Sequence, residues 1–190
     1  FMLIALVNFS IHFLAWRGRS LKPYLHCPET RWQMGLLAFS VLLITLFLLA
    51  HQEYTRFSEA FRYAVFNVVS VASTTGFANT DYALWPAFAP MTMLLLSMVA
   101  SAAGSTGGGV KMMRAVILVK QAVRELSRTL HPRAINPIRL GNQVVENPVI
   151  FGVLAFMLMY GLSVIVLSMM LMFTGLDPIT AFSAIIACIN

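Results

Sequence analysis

Three long stretches of this chain carry no charged side chain, and they govern what it can fold into. Trp32 to Ala50, Tyr82 to Val110 and Asn147 to Leu176 contain no Asp, Glu, Lys or Arg. A bilayer core about 30 Å thick is crossed by about 20 helical residues. Each stretch is long enough, the first only just. Charged residues make up 11% of the chain, against about a quarter in soluble domains. So little charge cannot cover a water-facing surface, and lipid is the expected solvent.

The 13 basic residues outnumber the 7 acidic ones, and their placement orients the spans. Arg17, Arg19, Lys22 and Arg31 stand against Glu29 in one short loop. Lys111, Arg114, Lys120, Arg124, Arg128, Arg133 and Arg139 stand against Glu125 and Glu146 in a second. Short cytoplasmic loops collect Lys and Arg, so both segments are placed inside. His51 to Arg62, Asp81 and Asp177 fall outside. This distribution accounts for the net charge of +6 without a nucleic-acid partner.

The topology then meets a conflict at Tyr63 to Thr80. A full span there would put the strongly basic second segment outside. A segment that dips in and returns removes the conflict. Ser58 is expected to cap a half-helix over 58–72, with Glu59 favoured by the dipole in its first turn. Ser73-Thr74-Thr75-Gly76-Phe77 then breaks it, Gly76 supplying backbone angles barred to other residues. Irregular backbone at membrane depth must be buried in protein or line a wet cavity. Its carbonyls can replace the water around a cation, as in pore filters. The alternative is a plain turn after an ordinary helix.

A second break lies in the third stretch. Gly104-Ser105-Thr106-Gly107-Gly108-Gly109 precedes Val110 and Lys111. Three consecutive glycines cost a helix roughly 3 kcal/mol relative to alanine, so the helix, expected over 86–124, should open here toward a pore and could act as a gate. Close helix crossing is the other use of such glycines. A phosphate-binding loop needs Gly-Lys-Ser/Thr after a strand, and Val110 and Met112 depart from that. Lys111 and Arg114 stand at the inner mouth or at a regulatory contact. Residues 111–146 include an amphipathic stretch, either an extension anchored at lipid headgroups or a docking surface.

The order span, outer turn, half-helix, loop and span occurs once fully and once in part. An outer helix over 148–173 is followed by Gly175, then Asp177-Pro178, a cap and a first-position proline, and a short helix over 178–189. Asn190 stands where the next break belongs. The chain begins and ends inside apolar runs, so further spans are expected on both sides. His12, His26, His51 and His131 are scattered with no metal-ligand spacing, and Cys27 and Cys188 form no disulfide framework. No nucleophile, base and orienting group suggest an enzyme. A secondary transporter with broken helices is the rival reading, disfavoured by the lack of a carboxylate within the long spans.

Ser73 to Phe77, Gly104 to Lys111 and Ala181-Phe182-Ser183 through Ala187-Cys188-Ile189-Asn190 together resemble the Trk/Ktr/HKT potassium transporter family, in its bacterial TrkH-type branch. The resemblance implies an all-α integral membrane fold of repeated helix, re-entrant pore helix, filter loop and helix units around a central ion pathway. It makes 1–31 the end of a second repeat with its cytoplasmic loop and 32–130 a third repeat. Residues 131–147 become a cytoplasmic connection and 148–190 a truncated fourth repeat. It implies K⁺ as the transported ion, held at Thr74, Thr75 and Gly76 and at Asn190 in the fourth loop, with Gly104 to Gly109 obstructing the pore below. It further implies a homodimer in the bacterial inner membrane and a cytosolic nucleotide-binding regulatory subunit. Any NAD or ATP would sit on that partner, with no cofactor in this chain.

Overall fold

The computed structural model describes residues 1–131, 137–141 and 143–190. Arg133 and part of the expected connection over 131–147 lie outside the described residues. The helices are α1 (Met2–Leu6), α2 (Phe9–Gly18), α3 (Lys22–His26), α4 (Pro28–Ala50), α5 (Phe57–Ala72), α6 (Phe88–Val99), α7 (Met112–Leu130), α8 (Asn147–Met172) and α9 (Pro178–Ile189). A two-stranded antiparallel ribbon, Arg139–Leu140 with Gln143–Val144, joins α7 to α8.

Two of these helices, α4 and α8, are long and apolar enough to cross a bilayer. The outward face of α8 confirms the solvent. Phe151, Leu158, Met159, Leu162, Ile165, Met169 and Met170 are all exposed on it. Such a surface is stable against hydrocarbon and unstable against water.

Between α4 and α6 lies the half-helix α5, and the residues that seat it are small. Ala60, Ala64, Val68 and Ala72 recur every four positions and are fully buried. Ala64, Val68 and Ala72 cluster with Leu37, Val41, Ile44 and Leu48 of α4 and Ala89, Met93 and Leu96 of α6. Small side chains let backbones approach closely, which is how helices gain packing energy where the hydrophobic effect is absent. The α5 start differs from expectation. Arg56 occupies the cap position without a side-chain bond, and Ser58 lies inside the first turn. Asp177 does cap α9, its carboxylate accepting from the Thr180 amide at 3.1 Å.

The chain leaving α5 turns back along it. Asn67, fully buried, donates to the Asn79 side chain at 2.7 Å, and the Asn79 backbone amide donates to Asn67 Oδ1 at 3.4 Å. Residues 73–78 are therefore a hairpin tip. Its two ends meet in an aromatic cluster. Tyr54, before α5, stacks on Tyr63 of α5 with centroids 5.1 Å apart and meets Trp85, after the hairpin, edge-on at 6.5 Å. The hairpin enters and leaves at one level, the behaviour of a re-entrant segment.

Both descending helices are interrupted. The uncharged run from Phe1 to Trp16 is not one helix but is split at Val7 and Asn8. Asn8 stops it by capping α2, its side chain accepting from the Ser10 amide at 2.8 Å. The second helix opens at Ala100, earlier than the glycines predict, and re-forms at Met112. The cytoplasmic start of α4 also moves. It begins at Pro28, so Glu29 belongs to the spanning helix and is 4% exposed. Glu29 was expected in a solvated basic loop, and the expectation that the long spans lack a carboxylate is corrected. A proline at the first position and an acid in the first turn mark that start.

The hairpin geometry predicts that Asp81→Cys, in a cysteine-free background of the full-length protein, reacts with a membrane-impermeant maleimide applied from the outer face. Reaction from the cytoplasmic face alone would remove the hairpin.

Candidate functional site

The hairpin tip is exposed from Thr74 to Asn79, while its base is buried and bonded. The Thr75 amide donates to the Ser70 carbonyl at 3.0 Å and the Thr74 amide to Val71 at 3.0 Å. Ser73 Oγ lies 2.6 Å from Thr75 Oγ1. Thr74 has φ 53° and Gly76 φ 80°, so the backbone alternates into the left-handed region and its carbonyls leave the helix direction. A non-glycine residue held there is strained, and the bonds from Ser70, Val71 and Ser73 hold it.

The second loop, Ala100 to Lys111, is a compact excursion closed at its neck. The Val110 amide donates to Met98 at 2.7 Å and the Met112 amide to Ser101 at 2.8 Å. Ser101 Oγ donates to the Gly108 carbonyl at 2.5 Å, and Lys111 Nζ donates to the Gly107 carbonyl. The three glycines are close contacts as well as openings. A Cβ on Gly107 would lie 2.7 Å from Ser101 Cβ, and one on Gly109, at φ +79°, would lie 2.5 Å from the Met98 carbonyl. On Gly108 it would overlap the Asn190 carbonyl. Both sequence readings of the glycines, opening and close approach, hold at once.

Three clusters distant in sequence meet here. A Cβ on Gly107 would lie 3.8 Å from Thr74 Oγ1, so the glycine loop lies against the hairpin tip. Asn190 completes the group. Its Nδ2 donates to Ser97 Oγ at 3.0 Å, and its Oδ1 accepts from the Tyr160 hydroxyl at 3.0 Å. The Asn190 side chain is thus bonded into the helices rather than directed at the tip. Arg114 stands apart, its guanidinium 3.9 Å over the Phe156 ring, a cation–π contact tying α7 to α8. Among the described residues no His, Cys, Asp and Glu group could hold a transition metal. The acceptors on offer are carbonyls and hydroxyls, the donor set for an alkali cation.

The glycine loop is also bonded to the break in the preceding helix. Ala102 donates to Leu6 at 3.1 Å, Thr106 to Ala5 at 3.3 Å and Phe9 to Gly104 at 3.2 Å. A Cβ on Gly104 would meet Asn8 Oδ1 at 3.2 Å. Sequence reasoning missed Asn8, Gln33, Asn67, Asn79, Ser97 and Tyr160. Each is a polar residue in or beside an apolar run, and that is the signal that could have found them.

The family model described as TrkH, cation transport protein, matches residues 1–190. The chain belongs to the TrkH family. Trk system potassium uptake protein TrkH of Escherichia coli K12 is 38% identical over all of this chain and 39% of its own length. TrkG of the same organism is 31% identical over the same shares. The crystal structure of the potassium transporter TrkH from Vibrio parahaemolyticus matches with TM-score 0.92 and 39% identity, over 98% of this chain and 40% of that one. This TrkH-family chain therefore spans about two fifths of the length of the relatives it matches, and its fold is that of an all-α membrane transporter.

Packing at the glycines predicts that Gly109→Ala destabilises the full-length protein by about 1–3 kcal/mol, lowering its thermal midpoint in detergent. Gly152→Ala, where nothing lies within 4 Å, should leave the midpoint unchanged or raised.

Proposed function

We propose that the full-length protein carries K⁺ across the bacterial inner membrane through a channel-like pathway, and that this chain supplies one filter loop and the gate beneath it. The observation that carries the reading is the direct apposition of the exposed Thr74–Gly76 tip and the glycine loop, 3.8 Å apart at Thr74 and a Gly107 Cβ position. Relatives named for potassium uptake support it.

The carbonyls of Thr74, Thr75 and Gly76 coordinate the dehydrated ion. Their geometry is set from below by the Ser70, Val71 and Ser73 bonds and from the side by the Asn67–Asn79 pair. The C-terminus of α5 adds its partial negative charge at the same place. Asn190 marks the start of the equivalent loop of the next repeat. Residues Gly104 to Gly109 obstruct the path below the filter. Lys111 pins that loop through Gly107 and places a positive charge beside the path. The chemistry is passage and selection rather than bond-making, so no enzyme activity is assigned.

The cytoplasmic end of α7 extends past the start of α8, with Arg124 beside Asn147 at 3.4 Å. Its basic residues Lys120, Arg124 and Arg128 form the contact for a cytosolic nucleotide-binding regulatory subunit, which would carry any NAD or ATP. The protein acts as a homodimer.

Purified full-length protein in liposomes should pass K⁺ and Rb⁺ far better than Li⁺, read as isotope or fluorescence flux. Equal passage of all three would remove the filter. Deleting Ser105 to Gly108 should raise K⁺ and Rb⁺ flux with the ion order kept; unchanged flux would remove the gate.

A further inference from the structure

At the helix breaks α4 meets the Ala100 carbonyl and the Ala103 amide, and it gives the Leu6 carbonyl, which already accepts from Ala102, a second donor. Gln33 is fully buried. Its Nε2 donates to the Leu6 carbonyl at 2.9 Å and to the Ala100 carbonyl at 2.6 Å. Leu6 ends α1 and Ala100 follows α6, so one amide caps the upper half of both broken helices. Glu29 precedes Gln33 by one helical turn on the same face. Its carboxylate accepts from the Ala103 amide at 2.7 Å, within the opened loop.

The direction of the Gln33 amide is fixed by its partners. Both are carbonyl oxygens, and only the NH₂ end can face them. Its Oε1 is buried without a partner among the described residues. A leucine would fill similar space without that unmet acceptor. The side chain is therefore accounted for by its two bonds and not by its volume.

We propose that Gln33 and Glu29 are positioning residues that hold the glycine loop closed, joining it to the outer helix α4 and to the break of the preceding repeat. This rests on the reading of Gly104 to Gly109 as the gate. Displacing the loop breaks the Glu29 bond. Displacement that carries Ala100 along breaks its bond with Gln33. Motion of the cytoplasmic end of α4, which begins next to the basic loop of residues 17–27, is thereby passed to the gate through two side chains.

The test uses full-length protein in liposomes with Rb⁺ flux as readout and no added regulatory subunit. Gln33→Leu and Glu29→Ala should each raise basal flux on the order of tenfold, the shift that losing the one bond each makes to the loop gives a two-state equilibrium. Glu29→Gln keeps an oxygen for the Ala103 amide and should stay near the parent flux, and the preference for Rb⁺ over Li⁺ should not change in any variant. Parent-like flux in both Gln33→Leu and Glu29→Ala, where the Ser105–Gly108 deletion does raise flux, overturns the latch and leaves the gate standing. A deletion without effect overturns the gate reading itself. Where Gln33→Leu does not fold, Glu29→Ala decides through a second measurement, the thiol-labelling rate at Ser105→Cys in a cysteine-free background. Faster labelling than in the parent supports the latch; an unchanged rate overturns it.

Discussion

The rest of this structure depends on one requirement: a backbone amide or carbonyl taken out of water has to find a partner within the protein. An unbroken helix satisfies it internally, and α4 and α8 do. Each interruption creates orphan groups that side chains or another segment must meet. At the hairpin after α5, Asn67, Ser73 and the Ser70 and Val71 carbonyls meet them. At the glycine loop, Gln33, Glu29, Ser101, Lys111 and the neighbouring break at Val7 and Asn8 meet them. Gln33, Glu29, Asn67 and Asn8 all spend their polar atoms at a break.

Close approach is the second condition, and it selects small residues at both sites. The alanine row of α5 seats a half-helix between two longer helices. The glycines at 107 to 109 let a loop lie against the hairpin tip and against α6 with no room for a methyl group. The two devices act together. A pore helix packed at larger distance would hold the Thr74–Gly76 tip away from the glycine loop, and no apposition would follow.

The sequence made the membrane setting, the re-entrant hairpin and the glycine break legible, because each leaves a compositional mark. Uncharged runs mark the spans, the basic loops mark their direction, and Gly76 and Gly104 to Gly109 mark where helix cannot continue. What stayed hidden involves single polar residues with distant partners. Gln33 bonds residues 27 and 67 positions away, and no local pattern announces that. Asn8 breaks a helix in an apolar run that reads as unbroken. Glu29 was read with its basic neighbours, although Pro28 before it signals a helix start. Ser58 looked like a cap, yet it lies inside the first turn and Arg56 takes the cap position without a side-chain bond.

A loop held by many hydrogen bonds can still move, provided that it faces water. Five backbone groups between Ala100 and Thr106 are bonded to α1, α2 and α4: those of Ala100 with Gln33, Ala102 with Leu6, Ala103 with Glu29, Gly104 with Phe9 and Thr106 with Ala5. In an apolar medium each such bond is worth about 4–6 kcal/mol, so the set would lock the loop by roughly 20–30 kcal/mol. In contact with water each is worth about 0.5–1.5 kcal/mol net, and the set falls to roughly 3–8 kcal/mol. The lower figure is within reach of a regulatory partner's binding energy, and the higher one is not. Ala103, Gly104 and Thr106 are exposed in this chain, on the side where the pathway would run. A loop of this construction, if it is the gate proposed above, would be movable where it meets water and locked where it does not.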